Sequence, residues 1–167
     1  MKKPKTYNIM LSSVFPVTHP KAGQETGFAP KAMAAVNNMP CYLKKLHTIR
    51  ANYYLWKKRF EEVERGEAVI KLRQWTGKPY RSKTKEIKTL TAADGIGIQK
   101  LQLYDAEGEM PFTPFIDGFT MGYAYIEDGF KNLANNDGLS LEDWQAWFKG
   151  YDKAKPLAII HFTSFRY

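Results

Sequence analysis

Residues 44–50 read KKLHTIR, a run in which cations flank residues that favour β-strands. A helix is predicted directly after this strand, over residues 53–65, because apolar side chains recur there at helical spacing and Asn52 stands in the capping position. Gly66 ends the helix, and residues 68–75 then alternate between apolar and polar side chains, as a half-buried strand does. The predicted buried side chains of the helix are Trp56, Phe60 and Val63. This basic strand–helix–strand unit decides the fold prediction.

The composition predicts a single domain, residues 1–167, with a substantial core, since 44% of the residues are hydrophobic and 14% are aromatic. The one cysteine, Cys41, excludes an internal disulfide, and the three histidines lack the spacing of zinc ligands, so neither a metal nor a cofactor is expected. Polar residues interrupt the start of the chain too often for a strong signal peptide, and no apolar run approaches the roughly 18 residues of a membrane helix. A cytoplasmic protein that does not contact membranes is therefore expected.

The charge is distributed unevenly along the chain. Residues 41–90 hold 14 lysines and arginines against five acidic residues, whereas residues 105–152 hold two against ten. The basic stretch is interleaved with the aromatic residues Tyr53, Tyr54, Trp56, Trp75 and Tyr80. Cations that meet phosphates and rings that stack on bases are typical of a nucleic-acid ligand. The alternative is a solvated basic face beside an acidic one.

The remaining elements complete a prediction of the α+β class. Further strands are predicted over residues 6–11, 85–90, 96–104 and 156–163. Further helices are predicted over residues 32–37, over residues 128–135 and after a Ser140 cap. A long loop is expected over residues 12–31, an acidic turn over residues 105–109 and an irregular aromatic segment up to residue 125.

This order of elements resembles the ASCH domain of the PUA-like superfamily. In that family a Lys-x-x-Thr-x-Arg run on one strand lines a cleft for nucleic acid or a modified nucleoside, and Lys45, Thr48 and Arg50 match the run. The similarity extends to the strand entry at residues 66–68 and to residues 137–144, which lead into an apolar strand. The resemblance implies a PUA-like mixed β-barrel with peripheral helices.

Within the superfamily, the small bacterial N4-acetylcytidine amidohydrolases are similar in both halves of the pattern. They use a lysine, a threonine and a glutamate, which carry over onto Lys45, Thr48 and, one methylene shorter, Asp137. The resemblance implies that a lysine with a lowered pKa activates the threonine hydroxyl and that the acid protonates the leaving amine. Arg50 would then stabilise the developing oxyanion.

The other expected ligand contacts come from cations near this strand and from the end of the strand at residues 68–75. Lys44 and Arg73 would add positive field, and Trp75 would form a base-stacking rim with the turn that follows. The expected ligand-binding residues are Lys44, Arg50, Arg73, Trp75, Lys78, Tyr80 and Arg81. His161, in an apolar strand, is expected to be an interior histidine with its hydrogen bonds satisfied.

Three functions remain open from the sequence. The first is binding of RNA, single-stranded nucleic acid or a modified nucleoside through a basic cleft. The second is hydrolysis of N4-acetylcytidine or a related nucleoside by Lys45, Thr48 and Asp137. The third is a protein-interaction module that uses the acidic residues 105–152. In the structural alternative, Lys45 and Thr48 are ordinary strand residues and Arg50 pairs with Asp137.

Overall fold

The computed structural model describes residues 3–105, 112–120 and 126–167, which form a mixed α/β fold in agreement with the predicted α+β class. The α-helices in these residues are α1 (Phe28–Val36), α2 (Tyr53–Glu64), α3 (Ile126–Asn136) and α4 (Leu141–Phe148). The strands are β1 (Lys5–Met10), β2 (His47–Arg50), β3 (Ala68–Trp75), β4 (Thr84–Leu90), β5 (Gly97–Asp105), β6 (Phe112–Ile116), β7 (Phe119–Thr120) and β8 (Leu157–His161). None of the helices in these ranges is long and apolar enough to cross a bilayer.

Hydrogen bonds join the described strands into two sheets. The first has the order β1-β3-β4, in which β1 runs parallel to β3 and β4 runs antiparallel to it. The second has the order β2-β8-β5-β6-β7 and is antiparallel throughout. The described strands therefore form two sheets and not one closed barrel.

The core follows the periodicities read from the sequence. Ala68, Ile70 and Leu72 of β3 are buried on one face, as predicted. Each residue of β8, which lies between β2 and β5 within its sheet, is buried, so both faces of this strand are covered. A strand covered on both faces requires a continuous apolar run in place of alternation, which residues 157–160 supply. The helix α2 buries the predicted side chains Trp56, Phe60 and Val63.

The predicted caps of two helices are confirmed. The side chain of Asn52 accepts a hydrogen bond from the Leu55 amide at 3.2 Å, and Gly66 adopts a left-handed φ of 72° just after α2. The Ser140 hydroxyl accepts from the Asp143 amide at 3.1 Å and opens α4. Only residues 51 and 52 separate the strand β2 from the helix α2.

The structure differs from the prediction at α1, which begins at Phe28 and shortens the expected 12–31 loop. Pro30 occupies the first turn of this helix. The amides of the first turn have no partner within a helix, so a proline is tolerated there.

A second difference lies at the segment predicted to be irregular, which contains the strands β6 and β7 around a turn at Asp117 and Gly118. Pro114 argues against a central strand, yet it lies within β6 opposite Leu103 of β5, and among the described residues β7 pairs with Phe115 and Ile116. Residues 106–111 of the expected acidic turn and acidic segment, and residues 121–125, lie outside the described residues.

Candidate functional site

The predicted site strand is held between α3 and β8. Lys45 forms an isolated β-bridge with Asp137, just past the end of α3. The Leu46 amide donates to the Asn136 carbonyl at 2.7 Å, and the Phe162 amide donates to the Leu46 carbonyl at 2.9 Å. These backbone bonds fix residues 45–46 in the interior and bring Lys45 and Asp137 together, as the resemblance implied.

Lys45 and Asp137 form a buried ion pair with 1% and 3% of their surfaces exposed. The Lys45 Nζ donates to Asp137 Oδ1 at 2.5 Å and to the Asp137 carbonyl oxygen at 2.6 Å. It also lies 3.9 Å from the centre of the Phe28 ring, within the range of a cation–π contact. Gly138 completes the close packing, because a Cβ there would lie 3.2 Å from Lys45 Cβ.

Burial moves the pKa values of both partners toward their neutral forms. It lowers the pKa of Lys45 to about 8, although the Asp137 charge opposes this shift. It raises the pKa of Asp137, against the opposing effects of Lys45, Arg50 and a hydrogen bond from Trp144. Two groups in contact whose charged forms are both disfavoured can share or pass a proton. The pair therefore has the electrostatic character of an acid–base couple.

His47 extends this pair into a polar chain that the sequence did not reveal. Its Nδ1 lies 3.9 Å from Asp137 Oδ1, and its Nε2 lies 2.7 Å from the Tyr167 hydroxyl. That hydroxyl accepts from the Asn136 side chain at 3.1 Å. Burial holds the pKa of His47 well below its ordinary value, with neighbouring His161 and Lys45 adding to the effect. Side-chain alternation in β2 predicts that His47 and Thr48 lie on opposite faces of the strand, but it does not predict which groups His47 contacts.

His161 corrects one expectation. It is fully buried, as predicted, but neither ring nitrogen has a hydrogen-bond partner among the described residues. Its ring lies 5.5 Å from that of His47 and 5.9 Å from that of Tyr167. Burial lowers the pKa of His161 to about 3, so the imidazole is neutral at physiological pH.

Thr48 is also buried in β2, where it pairs with Ile160 of β8. The Lys45 amine donates to Asp137, and within the described residues the Thr48 hydroxyl makes no hydrogen bond with it. The expected contact between nucleophile and base is therefore absent in this state of the site, although such contacts often tighten only when a substrate binds.

Arg50 joins the two sheets and does not form a close ion pair with Asp137. Its Nη2 donates to the Met10 carbonyl at 2.5 Å and its Nη1 to the Ile49 carbonyl at 3.0 Å. Asp137 acts on it only as a neighbouring charge that raises its pKa, while burial lowers that pKa. Met10 is also the register partner of Arg73, so the backbones of β1, β2 and β3 meet beside this guanidinium.

Lys44 and Arg73 lie outside the buried cluster. The Lys44 amine donates to the Asn38 side chain at 3.3 Å. The Arg73 Nε donates to the Thr84 hydroxyl at 2.9 Å, and its Nη1 lies 3.7 Å from Glu86. The Arg73 side chain therefore contacts β4, where the Glu86 carboxylate partly compensates its charge.

The remaining predicted ligand residues gather at the turn between β3 and β4, which we call the basic hairpin (residues 75–83). Its backbone is fixed from within: the Thr76 amide donates to the Lys83 carbonyl at 2.9 Å and the Gly77 amide to the Ser82 hydroxyl at 3.0 Å. The same hydroxyl donates to the Lys78 carbonyl at 2.9 Å. Internal hydrogen bonds therefore order the backbone of the hairpin.

The basic hairpin presents Tyr80 to solvent. Its side chain is 90% exposed and its ring centre lies 5.4 Å from that of Trp75. Its φ of 62° is unusual for a bulky residue, so the turn must stabilise this conformation. The exposed cations of the hairpin make no ion pair with any described carboxylate; they are Lys78, Arg81 and Lys83.

Most of the predicted site residues thus fall into two groups, the buried cluster around Lys45 and Asp137 and the basic hairpin, while Lys44 and Arg73 belong to neither. In the part of the chain that the structure describes, no three histidine, cysteine or acidic side chains are placed to hold a metal ion. Comparison of the chain with family models, with curated proteins and with solved structures gave no match in any of the three.

Proposed function

We propose that the protein binds RNA, or single-stranded nucleic acid more generally, through the basic hairpin. The observation that supports this proposal most directly is the exposure of the Tyr80 ring, which lies in solvent beside Trp75 on a hydrogen-bonded turn. Aromatic faces stack on bases irrespective of sequence, and nearby cations neutralise phosphates. The ASCH-like spacing of Lys45, Thr48 and Arg50 supports the same ligand class, and a PUA-like domain is part of this proposal.

The turn favours binding because its backbone is already ordered in the free protein, so binding loses little conformational entropy. The backbone on either side of Tyr80 is held by the bonds between Thr76 and Lys83 and around Ser82. A backbone that is already ordered loses little freedom on binding. Lys78 and Arg81 flank the ring in sequence and have no acidic partner among the described residues, so they are available to phosphates.

The test is fluorescence anisotropy with a short oligouridine at about 50 and 200 mM salt. Stacking contributes about 1–3 kcal/mol per base, so Tyr80→Ala is expected to weaken binding roughly 5- to 150-fold. Lys78→Ala should instead reduce the dependence on salt. The matched control is Tyr42→Ala, which removes another tyrosine that is 98% exposed. Equal affinities of wild type and Tyr80→Ala would refute the proposal.

A second candidate function is hydrolysis of an acylated nucleoside such as N4-acetylcytidine. The favouring observation is the contact of Lys45, whose pKa burial lowers to about 8, with Asp137. An amine of this kind can accept the proton of the Thr48 hydroxyl once substrate binding brings them together, and Asp137 can protonate the leaving amine. Since both residues are buried, the substrate must displace part of the covering structure.

The hydrolase candidate is tested with N4-acetylcytidine as substrate and chromatographic detection of cytidine. Thr48→Val preserves the shape and strand preference of the side chain but removes its hydroxyl, so turnover should disappear, whereas Thr48→Ser should retain part of it. Absence of turnover by the wild type, or full turnover by Thr48→Val, would reject this function.

A further inference from the structure

A separate groove of about 520 Å³ lies beside the C-terminal end of β2. We call it the tyrosine groove, because Tyr53, Tyr54 and Tyr151 line it together with Pro156 and Leu157. Its volume falls within the roughly 300–1,000 Å³ of small-molecule sites. It belongs neither to the buried cluster nor to the basic hairpin.

The groove is preformed by backbone hydrogen bonds on both sides. The Tyr53 amide at the start of α2 donates to the Pro156 carbonyl at 3.3 Å and joins the two walls. On the far wall the Tyr151 amide donates to the Phe148 carbonyl at 3.0 Å, and the Ala154 amide donates to the Asp152 carboxylate at 3.0 Å. A ligand therefore meets a shaped cavity and not a collapsed surface.

The walls suit a flat aromatic ligand. The rings of Tyr53 and Tyr54 meet edge to face with centres 5.4 Å apart, and Tyr54 is largely exposed. Leu157 is buried beneath the opening and offers an apolar floor. Rings that already pack edge to face leave a free ring face for a third ring to stack on.

The polar groups at the rim suit an uncharged ligand with a hydrogen-bonding edge. Lys155 lies 3.7 Å from Asp152, so the two charges largely compensate each other. The side-chain oxygen of Asn52, Oδ1, caps α2, and the side-chain nitrogen, Nδ2, remains able to donate to a ligand. With no excess cation at the rim, nothing in the groove selects a phosphate.

We propose that the tyrosine groove binds one nucleobase-type heterocycle, either free as a nucleoside or as a single base of a strand. The base stacks on Tyr54 and Tyr151, and its edge accepts a hydrogen bond from the Asn52 amide. Ala51 and Asn52, which follow Arg50 directly in the chain, line the groove, so it adjoins the end of the predicted site strand. This site goes beyond the binding assigned to the basic hairpin and does not depend on it.

The test is calorimetric titration of the full chain with adenosine, guanosine, cytidine and uridine at about 50 and 200 mM salt. If the ligand is a free nucleoside, at least one of the four should bind, with an affinity that changes less than about twofold with salt because no phosphate is contacted. Tyr54→Ala and Tyr151→Leu should each weaken that binding roughly tenfold. The control is Glu64→Ala, at the opposite end of α2, which should bind as the wild type does.

A parallel titration with a short oligonucleotide in the Tyr80→Ala background distinguishes the two sources of the base. Tyr54→Ala weakens binding of the free nucleosides if the ligand is free, and binding of the oligonucleotide alone if the base comes from a strand; either result supports the groove. The proposal is overturned if neither probe distinguishes Tyr54→Ala and Tyr151→Leu from their background. Because the basic hairpin is tested through Tyr80, its failure would leave the nucleoside result standing.

Discussion

Replacing Lys45 alone with methionine tests how the buried Lys45–Asp137 pair contributes to stability. The variant keeps most of the side-chain volume but removes the amine that contacts Asp137 Oδ1 at 2.5 Å. Because 3% of the Asp137 surface is exposed, solvent cannot replace the lost partner. The expected result is a substantial loss in the free energy of unfolding.

The magnitude follows from general costs of buried charges. Breaking a buried pair costs about 3–5 kcal/mol, and we expect about 3 kcal/mol because Asp137, whose pKa burial raises, can take up a proton. For a chain of this size the melting temperature should fall by roughly 6–12 °C. The double variant Lys45→Met/Asp137→Asn should lose clearly less than the sum of the single variants, since no charge is then left alone.

The pair also predicts a sign for the pH dependence. Burial lowers the pKa of Lys45 from 10.5 to about 8, so between these values the unfolded chain holds a proton that the folded protein has released. Stability rises with pH wherever the unfolded state binds more protons. The wild type should therefore gain stability relative to Lys45→Met as the pH is raised from about 8 toward 10.5.

Urea denaturation followed by circular dichroism, at several pH values across this window, measures both effects. The matched control is Lys5→Met, which removes a lysine from the exposed Lys5–Glu62 pair and should cost much less, because solvent screens that pair. If Lys45→Met costs no more than Lys5→Met, or if the double variant is simply additive, the coupling inferred from the buried geometry is wrong.

Three further substitutions test the surroundings. Burial lowers the pKa of His161 from 6.5 to about 3, so the wild type loses stability as the pH falls through this range, and His161→Phe should move the midpoint of acid unfolding to lower pH. An unchanged midpoint by circular dichroism would contradict the neutral buried imidazole. Asn52→Ala should cost about 1 kcal/mol in urea melts, whereas Asn52→Gly should cost only a few tenths, because Asn52 caps α2 at a φ of 64°. Gly138→Ala should cost about 1–2 kcal/mol, because φ is +79° and the new Cβ would lie 3.2 Å from Lys45 Cβ; a neutral effect on the melting temperature would show that the backbone can relax.

The parts of the fold that could be predicted are those with local signals. The α2 helix and β3 were predicted closely because their signals are local: the spacing of the buried side chains lies within the elements, and Asn52 and Gly66 stand directly beside α2. The β6–β7 hairpin was missed, since Pro114 is disfavoured inside a strand and the sequence does not show that this segment pairs with β5. That pairing is a tertiary fact.

The same distinction applies to the site. The proximity of Lys45 and Asp137, 92 residues apart, came from the family resemblance and not from any spacing in the chain. The acceptor of Arg50 could not be predicted, because it is a backbone carbonyl in β1 that carries no sequence signal. The exposed rim formed by Tyr80 was expected, but its left-handed backbone depends on hydrogen bonds across the turn.

The position of β8 between β2 and β5 has a consequence for how the chain folds during synthesis. Residues 47–50 leave the ribosome more than a hundred residues ahead of their partner strand, so among the described strands β2 has no neighbour in its sheet until residues 157–161 have emerged. Pairings this distant in sequence close slowly and leave apolar surface uncovered meanwhile. We therefore expect nascent chains that end before residue 157 to remain sensitive to protease and to bind chaperones, and protection to arise in one step once β8 is released.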